Sequence, residues 1–374
     1  MKRILVILFV SVVLLCLLSF SVCAKEYSQI ESQVDELYNS LSEQTKNDLQ
    51  SISADTTDLA KLNEVSFDSF MNLIFKKVSE NSKGPLSASA VVVSVILLYS
   101  LIDSYTNSLR YSSTKEVLSV ISTLCITSTL VMPVIDLLTD CISTVKDASN
   151  FMLLYIPVMV SILAFSGHAV SSASYYSFMV LACEGVSRIS SDVISPLLNV
   201  YLSFCLSSSI TDRVNLKGFC DLLSKIIKWL ISFTMTVFSA LMTIKGLIAT
   251  AYDSVTARAV RFTMSSFIPV VGAALAESYK TIQGSINLLR TGAGVFVILA
   301  ICVVFLPVIV RCLVWMFSLN LCKSIGEVVG CNAPIKMITS ISSVISMVFA
   351  ITICIMAVFV ISTALLITLG GGGS

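Results

Sequence analysis

After Pro85 the sequence is built from apolar runs about as long as a bilayer is thick, and this constrains the fold more than any other feature. A transmembrane helix needs roughly 20 predominantly apolar residues. Such runs lie at about 86–102, 117–138, 150–167, 172–188, 193–210, 228–251, 262–282, 293–318 and 338–368. Lipid offers the backbone no hydrogen-bond partners, so a spanning segment of this length is a helix. Composition agrees: 56% of the 374 residues are hydrophobic and 13% charged, about half the charge of a soluble domain. A net charge of +1 gives no footing for nucleic acid.

The expected fold is therefore all-α, a polytopic integral membrane helical bundle with broken helices, with about seven to nine spans over residues 86–369. A cleavable signal peptide, residues 1–24, precedes it. Lys2 and Arg3 are its basic start, Ile4 to Phe20 its apolar stretch, and Ala24 its cleavage residue. An uncleaved signal anchor is the alternative. Val22 before Cys23 argues against lipidation.

Residues 25–85 form a polar extracytoplasmic segment. Val34, Leu37, Tyr38 and Leu41 fit helical spacing, as do Val65, Phe67, Phe70, Met71, Ile74 and Val78. Two short amphipathic helices are expected. They either meet the bilayer or a partner helix, or pack on the chain's own membrane domain. Residues 370–374 read as a flexible linker outside the fold.

One membrane-length stretch, 252–292, is interrupted near its middle by Pro269 and Gly272. Asp253, Arg258 and Arg261 precede the interruption; Glu277, Lys280 and Arg290 follow it. A broken helix survives in a membrane only where protein or a polar cavity satisfies the freed backbone groups. Asp253, Ala257, Arg261, Ser265 and Pro269 form an i+4 stripe, continued by Gly272, Ala276, Lys280 and Gly284. The small residues permit close helix approach.

Glu184, Arg188 and Asp192 form a second stripe at i, i+4 and i+8. Intramembrane charges must face protein or water. The two stripes are either a polar path or gate, or helix-end charges that snorkel and pair. Lys245, Asp136 and Arg311 are expected to snorkel.

Arg110 and Lys115 mark the loop 103–116 as cytoplasmic if residue 85 lies outside, and Arg213, Lys217, Lys225 and Lys228 mark 211–228 likewise. The same alternation sends Arg258, Arg261, Lys323 and Lys336 outward, against the rule.

The sequence also contains a weak echo. Tyr155-Ile156-Pro157-Val158 resembles Phe267-Ile268-Pro269-Val270, and Pro196 and Pro307 follow at similar distances. Pro157 thus joins Pro269 as a candidate helix break. An inverted-repeat transport fold and chance similarity among apolar segments both account for the pattern.

Chemistry is sparse. No phosphate-binding G-x-x-x-x-G-K-[ST] loop and no G-x-S-x-G elbow is present. His168 is the single histidine, so no His-rich metal site is available. The ten cysteines beyond residue 24 show no C-x-x-C spacing and read as small buried hydrophobes. Cys322 and Cys331 are one pair that a disulfide could join on the outer face. No catalytic residue, cofactor or metal is expected.

Residues Tyr252 to Gly294 resemble the stage III sporulation protein AE family of endospore-forming bacteria. The likeness rests on Asp253-Ser254-Val255-Thr256, Arg258, Phe262, Phe267-Ile268-Pro269-Val270-Val271-Gly272, Gly284 and Leu288-Leu289. Arg213 to Gly246 resembles the run that precedes this block, and the layout of leader, polar segment and spans matches nearly throughout.

The resemblance implies a non-enzymatic polytopic component of the channel-like complex between mother cell and forespore, in the mother-cell-derived membrane. It also implies companions: the other stage III proteins, AA to AH, which include a separate ATPase, and the forespore protein Q. A homo-oligomer is compatible with it. Two other readings stay open, a self-contained secondary transporter with a site near Pro269 and a scaffold that assembles partners without forming a pore. An intramembrane enzyme has no visible nucleophile and base.

Overall fold

The computed structural model describes residues 33–54, 62, 65–109, 112–166, 169–210, 216–267 and 272–369. The leader with Ala24, His168, Pro269 and the 370–374 tail lie outside the described residues. So do the surroundings of Asp253, Arg258, Arg261, Gly272, Ala276, Glu277 and Lys280, whose backbones are helical.

Residues 33–39 (α1) and Glu43–Ser51 (α2) are short helices. Ser42 caps α2: its Oγ accepts from the Thr45 N–H at 3.2 Å, and Glu43 follows in the first turn. Leu37, Leu41, Leu49 and Ile52 are buried, and the Tyr38 ring lies 6.3 Å from that of Phe296. The polar segment thus packs on the chain's own membrane domain. Its second expected helix is the start of α3 (Phe67–Leu109), which continues through Gly84 and Pro85 without a boundary.

Two expected spans, 117–138 and 150–167, belong to one helix, α4 (Ser112–Phe165). The polar stretch between them contains neither glycine nor proline, so nothing turns the chain. Its hydroxyls donate back into the helix, Thr139 to the Ile135 carbonyl and Ser143 to that of Asp140, both at 3.0 Å. Pro157 is not a break: it sits exposed inside α4.

Likewise 172–188 and 193–210 form one rod. It consists of α5 (Ala169–Arg188), a π-helical turn (Ile189–Ile194) and α6 (Ser195–Ile210). The Ser195 N–H donates to the Ser190 carbonyl, five residues back, which is the π signature.

α7 (Lys217–Phe267) and α8 (Gly272–Val329) flank the expected interruption, and α9 (Asn332–Leu369) returns along α8. The nine expected spans reduce to six helices long and apolar enough to cross a membrane among the described residues. No strand occurs among those residues.

Side-chain contacts fix the helix directions. Cys322 Sγ donates to the Ser89 carbonyl and Cys331 Sγ to that of Ile96, so α3 and α8 run parallel. Ile335 packs over Gly326 and Ile367 over Gly294, so α9 is antiparallel to α8. Tyr201 Oη donates to Ser343 Oγ at 3.3 Å, while Ile194 and Leu198 line one gap with Ile351, so α6 is antiparallel to α9.

The ends Leu109, Ile210 and Val329 therefore gather at one end of the bundle. Lys323 and Lys336 sit near that end, with the last turn of α3, whereas strict alternation of nine spans sets them on the opposite side.

Cys322 and Cys331 are free and buried, each turned to α3, not to one another. Burial, and then the nearby Asp103 carboxylate, push the Cys331 thiol above its ordinary range.

Of the echo's four prolines, Pro157, Pro196 and Pro307 lie inside α4, α6 and α8, and Pro269 lies outside the described residues.

Candidate functional site: a polar cleft at mid-length

On α4, Asp136, Asp140, Ser143, Asp147 and Asn150 recur at alternating spacings of four and three. That spacing places them along one helical face. Four of them, Asp140 to Asn150, line a cleft of about 500 Å³. Its other walls are Asn81 on α3, Pro307 and Arg311 on α8, and Thr45 and Asp48 on α2. The short polar helices close the cleft from the side.

Two ion pairs frame it. Arg311 donates to the Asp140 carboxylate across α8 and α4, with both side chains partly exposed. Lys77 Nζ lies 2.7 Å from Asp48 Oδ2 and 3.6 Å from Glu80 Oε2. Lys77 and Asp48 are 3% and 5% exposed, so this pair is buried and ties α2 to α3. The cleft combines carboxylates, amides and hydroxyls with one exposed cation. Leu41, Phe151, Leu154, Val304 and Val308 add apolar wall, so the cleft suits water or a chain of mixed polarity.

The stripe of Glu184, Arg188 and Asp192 lies at the same level of the bundle on another flank. A small apolar gap lined by Leu138, Cys141 and Val145 of α4 is also lined by Ser190, Ile194 and Leu198, which aligns the π turn with Asp140. Arg188 Nε pairs with Glu184 Oε2 at 3.3 Å, with side chains 78% and 51% exposed. Asp192 leaves the stripe, because the wide turn shifts its phase; it accepts instead from Ser191 Oγ at 2.8 Å.

Gly284 is exposed and has nothing near it, so it is not a point of close helix approach. That role falls to Gly294 and Gly326. The structure does not bring the described stripe residues, Pro157 or Gly284, into the cleft.

Asp48, Asp140, Asp147 and Asn150 escape a hydropathy reading, and Arg311 was read as a lone snorkelling charge. The heptad-like recurrence on α4 was the available clue.

Six long apolar helices carrying a polar belt at mid-length define a polytopic helical membrane protein. Residues 48–370 match the family described as stage III sporulation protein AE, and the chain belongs to that family. A relative from Bacillus subtilis (strain 168), named stage III sporulation protein AE, is 25% identical over 227 residues. That match covers 60% of this chain and 57% of the relative. No solved structure matches. The family gives the protein a place among stage III sporulation proteins.

Proposed function

We propose that the chain is a non-enzymatic core component of the membrane complex between mother cell and forespore, and that it forms or organises the passage there. The polar belt supports this reading. Helix α4 has 54 residues and so runs roughly 81 Å, against a hydrocarbon core of about 30 Å. Exposed charges on two flanks of the belt are too costly to hold in lipid. The bilayer then covers one half of the bundle, the half that ends at Leu109, Ile210 and Val329.

The other half carries α1 and α2 on one flank and stands on the outer side. Its remaining flanks expose Leu181, Trp229 and Phe233, at 72%, 63% and 51%. Apolar surface of that extent outside lipid calls for protein cover. Other stage III proteins, AA to AH with their separate ATPase, the forespore protein Q and further copies of this chain are the proposed cover. The proposed location is the mother-cell-derived membrane facing the forespore. The cleft then opens at the outer membrane surface, beside the assembly.

Single cysteines at Leu181 and Phe233, on a background without native cysteines, test this reading. An impermeant thiol reagent should modify them in the isolated protein in liposomes and fail to do so when all stage III partners are co-expressed. Protection in liposomes alone would place these residues in lipid and overturn the arrangement.

A further inference from the structure

Arg290 is 2% exposed, and neither its Nε nor its Nη1 meets an acceptor among the described residues. An arginine does not deprotonate in a protein, so this is a permanent positive charge. Lys77, the other buried cation among the described residues, is matched by Asp48, and the more exposed Arg188, Arg311 and Lys323 pair with Glu184, Asp140 and Glu327.

Around Arg290 stand more buried groups without partners. Asn287, one turn earlier on the same face of α8, has an unpartnered Oδ1. Gly294, one turn later, has the Tyr155 hydroxyl 3.8 Å from where a Cβ would stand. Tyr155 is fully buried, its Oη bonds to nothing, and it lies within electrostatic reach of Arg290. Tyr175 on α5 is 6% exposed, has an unpartnered Oη, and lies within reach of Tyr155.

We propose that Arg290, Tyr155 and Tyr175, from three helices, form a binding site for one anionic group, a phosphate or a carboxylate, supplied from outside the chain. Each contributes an N–H or O–H with no acceptor, and donors gathered around a fixed cation are the chemistry of an oxyanion site. The guanidinium fork matches two oxygens of such a group. Water would accept these hydrogen bonds but would leave the charge unmatched, and a buried charge is far more costly than a buried neutral polar group. Arg290 stands six residues inside the span that begins at Gly284, about 9 Å along the helix. Arg290 also lies 21 residues before Arg311 on the same helix, in the half of the bundle that the proposed arrangement sets outside the bilayer, where a soluble anion or the anionic group of an associated molecule reaches it.

The test uses the purified full chain in a non-ionic detergent. Its thermal midpoint is measured with inorganic phosphate, with acetate, and in mixed micelles of phosphatidylglycerol or phosphatidylcholine. An anion that binds the folded state alone raises the midpoint. The expected result is a rise of a few degrees that Arg290→Gln abolishes.

A rise with free phosphate or acetate identifies a soluble anion; a rise with phosphatidylglycerol alone identifies a lipid headgroup. No rise with any anion means that the protein itself neutralises Arg290, and overturns the site. Should Arg290→Gln fail to fold, Tyr155→Phe/Tyr175→Phe keeps the charge and the core. It should lose at least half of the rise, and an undiminished rise overturns the site equally.

Discussion

Arg311 and Asp140 form an ion pair between two antiparallel helices of 58 and 54 residues, Asp140 near the middle of its helix and Arg311 about two-thirds of the way along its own. They mark the level at which apolar packing gives way to a polar belt. Both are partly exposed, so their coupling is that of a surface pair, about 0.2–1 kcal/mol. A double-mutant cycle with Asp140→Asn and Arg311→Gln should return a value in that range. A coupling several times larger would mean that the cleft closes around the pair in the working protein.

The pair of Asp48 and Lys77 should behave differently, because both are buried. Lys77→Met leaves a buried carboxylate and should destabilise the protein by about 3–5 kcal/mol. Lys77→Met/Asp48→Leu should recover most of the loss. Trypsin cleavage after Lys46 reports whether α2 has come away. Equal cleavage in wild type and in Lys77→Met would show that the pair does not hold α2 in place.

Gly294 lets α9 lie against α8. A Cβ there would overlap Ile367 Cγ1. Gly294→Val should therefore cost about 1–3 kcal/mol by overpacking. Adding Ile367→Ala should restore part of the melting temperature. If the double variant is no more stable than the single one, the two helices do not meet at this point.

Tyr105 and Val328 are 69% and 88% exposed and lie at the same end of the bundle. Single cysteines at the two positions should react with an impermeant reagent from the same side of the membrane. Reaction from opposite sides would restore the alternating arrangement of nine spans.

The membrane class and the family were legible in the sequence, because apolar length and the Phe267 to Gly272 block are local features. The span count was not. A hydropathy window treats a polar belt inside a continuous helix and a loop between two helices alike, and 139–149 and 184–192 are both belts. Pro157 suggested a break, yet a proline removes one hydrogen bond and need not end a helix held by its neighbours.

The cleft was the least visible feature. Asp48 and Asn81 meet α4 only after the chain has folded back, and Arg311, which lines the same cleft, lies more than 200 residues beyond both. The one local trace was the recurrence from Asp136 to Asn150.

The π turn at Ile189–Ile194 makes the pairing of α6 with α9 depend on residue count more than on residue identity. Removing any one of its six residues would return the rod to ordinary helical pitch and leave the phase of α6 nearly unchanged, because five α-helical residues turn about as far as six π-helical ones; removing a second would rotate α6 by about 100°. Tyr201 would then swing off Ser343, and an apolar face now packed inward would turn out. Evolution in this stretch should therefore accept many exchanges of side chain and the loss of one residue, but not of two.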